Sequence, residues 1–124
     1  KKMTEETVLH VMQNDSKLKG RIVTDKRIIS YCFDDSFTCC NDFGVEESQP
    51  LTNFIGKVMM RMDLSDNTGD DDAEYSDECH SEGSFTIFFV DSAYTLKLHN
   101  YHNGYYTMNF DVEVNGVQTM NIAL

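Results

Sequence analysis

Residues 106–114 alternate without a break: Tyr106, Met108, Phe110, Val112 and Val114 are apolar, and Thr107, Asn109, Asp111 and Glu113 between them are polar. A period of two marks a β-strand buried on one face. It assigns Tyr106 to the core and turns Tyr105 outward. The Asn115-Gly116 pair that follows, ahead of Val117, is the strongest short signal for a type I′ hairpin turn. The β-branched and aromatic runs at 21–24, 27–33, 84–90 and 94–99 are further strand candidates. Asp34-Asp35-Ser36, Asp91-Ser92 and residues 100–104 separate them as turns.

Two segments read as helical. Val8, Leu9, Val11 and Met12 sit at i, i+1, i+3 and i+4 behind a Thr4 N-cap and two first-turn glutamates, which predicts an amphipathic helix over 4–13. Pro50, followed by Leu51, Phe54 and Ile55 and then Gly56, predicts a second, short helix. The expected fold is therefore α+β: a strand-dominated antiparallel sheet with one or two short helices and a long acidic loop, in a single domain over 1–124.

That loop concentrates the charge. The 124-residue chain has a formal charge of −11. Between Met62 and Leu96 there are ten carboxylates and no Lys or Arg, while the rest of the chain has ten cations against eleven carboxylates. Segment 63–83 has few apolar residues and cannot support its own core, so a mobile surface loop is expected. Asp63, Ser65, Asn67 and Glu74 partly follow the EF-hand pattern, but Thr68 stands where its glycine belongs. A solvated charge run is the simpler reading; weak divalent binding or an electrostatic partner contact is the alternative.

Cys32, Cys39, Cys40 and Cys79 contain no C-x-x-C spacing, and neighbours on a strand point to opposite faces. Free thiols are expected rather than a metal site, although Cys79 with His80 keeps the metal reading open. No nucleophile elbow, HExxH, phosphate-binding loop or dinucleotide fingerprint occurs, so neither catalysis nor a cofactor is expected. Lys1-Lys2-Met3 leads into Thr4-Glu5-Glu6, too polar for a signal-peptide core, and no stretch approaches a membrane span. A cytoplasmic location follows, with no membrane and no polymeric nucleic acid as partner.

Residues 98–106 collect Tyr101, Tyr105, Tyr106, His99, His102, Asn100 and Asn103 at one hairpin. These groups offer ring faces for stacking and amide edges for reading a base. The plainer alternative is a tyrosine-rich strand edge with Asn103-Gly104 as its turn. Four segments in order, Cys39-Cys40-Asn41-Asp42, Asn53-Phe54-Ile55-Gly56-Lys57, Ser84-Phe85-Thr86-Ile87-Phe88-Phe89 and Asn103-Gly104-Tyr105-Tyr106, resemble a family of small bacteriophage proteins. The family's corresponding motifs are D-C-C-E, D-L-I-G-K, T-W-T-F-Y and S-N-G-Y-Y. Thr38 and Asn41 stand where that family has acids, and its tryptophan is absent here.

The family looks like the one containing the phage anti-Thoeris sponges. The resemblance implies a homo-oligomeric immune-evasion protein that binds a cyclic ADP-ribose-type messenger of host defence without catalysis. Such a site would stack bases on Tyr101 and Tyr105, read an edge with Asn103, and hold phosphates with Lys57, Arg61 and Lys97. The competing expectation is an inhibitor of a host defence protein, of anti-restriction or anti-CRISPR type, acting through the acidic loop.

Overall fold

The computed structural model describes residues 5–34, 41–68, 79–102 and 107–124. The C-terminal hairpin forms as its alternation predicts. Strands β8 (Asn109–Val114) and β9 (Val117–Ala123) pair around Asn115 and Gly116, which take φ of 52° and 84°, with Phe110 and Val112 fully buried. The remaining strands are β1 (Glu6–Gln13), β2 (Lys19–Thr24), β3 (Ile28–Phe33), β4 (Asp42–Glu47), β5 (Val58–Asp66), β6 (Cys79–Phe89) and β7 (Ala93–His102). All neighbouring strands are antiparallel, in the order β4-β7-β6-β5-β1-β2-β3-β8-β9.

Among the described residues there is no α-helix, which corrects the α+β expectation to an all-β fold. Of the helix predicted over 4–13, Glu6–Gln13 is strand β1, and its N-cap Thr4 lies outside the described residues. Its pairing shifts between Val8 and His10, where β1 bulges. The bulge inserts one residue, so Val8 and Val11, three apart, both turn inward while Leu9, His10 and Met12 face water. An i, i+3 spacing produced in this way is indistinguishable from a helical one. The segment after Pro50 is a single 3-10 turn, Leu51–Phe54, that buries Leu51 and Phe54 but leaves Ile55 47% exposed. Gly56, at φ 88°, ends it and donates its N–H to the Val8 carbonyl at 2.8 Å, so the turn plugs the β1 bulge.

Strand structure also invades the expected acidic loop. β5 runs to Asp66 and β6 starts at Cys79, with Asp63–Asp66 paired against Gly83–Thr86. Leu64 packs against the core there, while Asp63 and Ser65 lie on the opposite face. The run 69–78 lies outside the described residues. Likewise β7 continues through Asn100, Tyr101 and His102, which were expected in a turn.

β1 pairs with β5 through Glu6 and Thr7 and with β2 from Val8 onward, so one strand belongs to both halves of the sheet. The halves fold onto each other as a two-layer sandwich. Phe85 of β6 lies 6.0 Å from the Tyr31 ring of β3 and 5.4 Å from the Phe110 ring of β8. The layers also approach at Gly83, where a Cβ would lie 2.8 Å from the Ile122 side-chain tip on β9 and 3.0 Å from the Ser65 carbonyl oxygen. Asn100, fully buried, donates across the layers to the Leu124 carbonyl at 2.9 Å.

Candidate functional site

Side chains that alternate inward on β4, β6 and β7 build the core; their outward neighbours form a polar face. On β7 these are Thr95, Lys97, His99 and Tyr101, and the register sets them beside Glu46 and Gly44 of β4 and Ser84, Glu82 and His80 of β6. A hollow of about 440 Å³ lies over this face, bounded by Lys97, His99, Tyr101, Glu46, Glu82 and Ser84. Its volume is in the range of roughly 300–1,000 Å³ usual for small-molecule sites.

Tyr101 is the centre of an aromatic row. Its ring centroid lies 4.6 Å from His80 and 4.9 Å from His99. Its hydroxyl donates to Glu82 Oε2 at 2.7 Å, and that bond, with the carboxylate's charge, raises the phenol above its ordinary pKa. His99 Nε2 stands 3.6 Å from Asp42 Oδ1. The imidazole has room because position 44 is glycine; a Cβ there would sit 3.1 Å from His99 Cε1. Lys97 has no ion-pair partner among the described residues. The hollow thus offers π faces, one cation, and carboxylates able to accept from hydroxyls or amines.

Of the residues the sequence nominated, Tyr101 and Lys97 share this hollow. Lys57 and Arg61 do not. Lys57 Nζ is 2.8 Å from Asp91 Oδ2. Arg61 pairs with Asp63 and stacks 3.9 Å above the Phe88 ring. Phe88 pairs with Ala93, four residues along β7 from Lys97 and hence about 13 Å away along the strand. Tyr105, Tyr106 and Asn103 lie outside the described residues, as do the side chains of Cys79 and His102.

Sequence reasoning grouped His99 with Tyr101 but gave it no role, considered His80 only for a metal site, and missed Glu46 and Glu82. Lys97, His99 and Tyr101 at i, i+2 and i+4 carried the signal, once β7 is extended to include them. Elsewhere, Cys32 forms no disulfide among the described residues. Among the described residues no group of three or more His, Cys, Asp or Glu is placed to hold a metal ion, and no helix is long and apolar enough to cross a membrane. Compared with known proteins, the chain matches no family model, no curated protein and no solved structure.

Proposed function

We propose that this is a non-enzymatic binding protein of phage origin that sequesters a cyclic nucleotide messenger, of the cyclic ADP-ribose type, used in host defence. The observation carrying this reading is the Tyr101 ring between His80 and His99, on the same face as Lys97, which has no ion pair among the described residues. A base stacks on the aromatic row, one phosphate takes Lys97, and ribose hydroxyls or an exocyclic amine donate to Glu46 or Glu82. The carboxylates around a single lysine favour a small ligand with localised phosphate charge over a polyanion.

Calorimetric titration against cyclic ADP-ribose isomers and cyclic di- and trinucleotides tests the proposal. At least one should bind, and a ligand at about 100 times its Kd should stabilise the fold by about 2.7 kcal/mol. Tyr101→Ala should cost about 1–3 kcal/mol of affinity, the scale of a lost base stack, while Tyr101→Phe should retain most of it. Silence across the panel would overturn the proposal.

A further inference from the structure

The opposite outer face, on β1, β2, β3 and β8, carries charges in a different arrangement. The register aligns Met12, Arg21, Ser30 and Glu113 in one row across four strands, and Lys19, Cys32 and Asp111 in the next. Both cations are therefore on β2, both carboxylates on β8, and only the small neutral Ser30 and Cys32 stand between them on β3. Two strand spacings separate the cationic from the anionic column, about 10 Å. Shallow hollows flank β3, about 390 Å³ on its cationic side and 260 Å³ on its acidic side.

Lys17, Arg27, Lys57 and Arg61 each have a carboxylate within 4.0 Å, whereas Lys19 and Arg21 have none among the described residues. Lys26 and Lys97 also lack one there, but only Lys19 and Arg21 stand in register with a column of carboxylates, Asp111 and Glu113, two strands away. Beside them, Met12 is 53% and Ile28 43% exposed, so the face is also partly apolar.

We infer that this face docks a second copy of the chain, across a two-fold axis running along β3. Rotation about that axis lays β2 of one copy over β8 of the other without changing position along the strands. Arg21 then meets Glu113 of the second copy and Lys19 meets Asp111 of the second copy. Each pair occurs twice. Ile28, Ser30 and Cys32, being on β3, face their own counterparts. A two-fold axis across the strands would instead set β2 on β2, cation against cation. The surface is thus self-complementary in one orientation only, and a small molecule would use just one of its columns. The hollow at Tyr101 is on the other layer and plays no part.

Sedimentation velocity from about 1 to 300 µM, spanning the micromolar range of small interfaces, should show a concentration-dependent dimer. Arg21→Glu and Glu113→Arg should each weaken it at least about tenfold by setting like charges together. Mixed in equal amounts, the two variants should form a heterodimer, because every pair is then again of opposite sign. Far-UV circular dichroism confirms that each is folded. As a second measurement, a short bis-maleimide should join two chains through Cys32 in a Cys39→Ser/Cys40→Ser/Cys79→Ser background. A monomer at every concentration, a dimer indifferent to both reversals, or absence of the mixed species would overturn the inference.

Discussion

Two buried carboxylates, at opposite ends of β1, are neutralised by different chemistry. Glu6, 2% exposed, is met by a full countercharge: Arg27 Nε lies 3.0 and 2.9 Å from its two oxygens, Arg27 Nη2 lies 2.8 Å from Oε2, and Thr24 donates its hydroxyl at 2.7 Å. Glu47, with 8% of its side chain exposed, instead receives neutral donors, the Tyr94 hydroxyl at 2.7 Å and Gln13 Nε2 at 2.8 Å, with Lys17 Nζ only at 4.0 Å. Gln13 also reaches the Tyr31 hydroxyl at 2.8 Å. The first site is a tight ion pair at the corner where the sheet changes layer. The second is a hydrogen-bond network between the layers, whose strength depends on phenols keeping their protons.

The contrast can be broken most severely at Arg27. Arg27→Met leaves the buried Glu6 carboxylate without its guanidinium countercharge and should destabilise the protein by about 3–5 kcal/mol in chemical denaturation. Adding Glu6→Gln should recover much of that loss, since the charge is removed as well.

High pH attacks the other site alone. Burial is the main reason that the Tyr31 phenol is pushed up from 10.0 to about 12 and that Tyr94 is held further above the usual phenol range, with Glu47 adding to both. Below pH 10 both the folded and the unfolded chain keep these protons. Above it the unfolded state ionises first, so stability falls as pH rises toward 12, by about 2–3 kcal/mol through Tyr31. Tyr31→Phe should flatten that slope, and an unchanged slope would show that the phenol is not protected in the fold. Tyr94→Phe at neutral pH sharpens the comparison, with an expected cost of about 1–3 kcal/mol for removing a donor from a buried carboxylate.

The smallest effect belongs to Lys57 and Asp91. Hydrogen bonding to Lys57 lowers the Asp91 pKa, but the carboxylate is fully exposed and water screens the pair. Lys57→Ala should leave the melting temperature unchanged within error.

What the sequence made legible followed regularity. Residues 108–117 keep strict alternation and end in a turn with its own residue code, so strand, face and turn type could all be read. β1 could not, because the bulge after Val8 breaks the period of two and substitutes a spacing of three. Its true character depends on Glu6 and Thr7 pairing with Met59 and Val58, about fifty residues away. The candidate site was half legible for a related reason. Tyr101 and Lys97 announce themselves by residue type, but His80 and Glu82 join them only through the β6–β7 register. Lys57 and Arg61, equally cationic, are spent on local carboxylates, which charge counting along the chain does not reveal.

The pairing of β3 with β8 also has a consequence in time. Ile29 bonds opposite Val114 and Phe33 opposite Phe110, so β4 to β7 must be made, and must find their own places, between two strands that end as neighbours. Contacts of such long sequence separation slow folding, because the loop must close before the contact rewards it. During synthesis the β1–β2–β3 meander waits with the ladder groups of β3 open until residues 109–114 emerge. A chain in that state is a template for any extended strand nearby. Its vulnerability to misassembly is therefore greatest just before β8 emerges, and a refolding assay should find its slowest step in the docking of the β8–β9 hairpin.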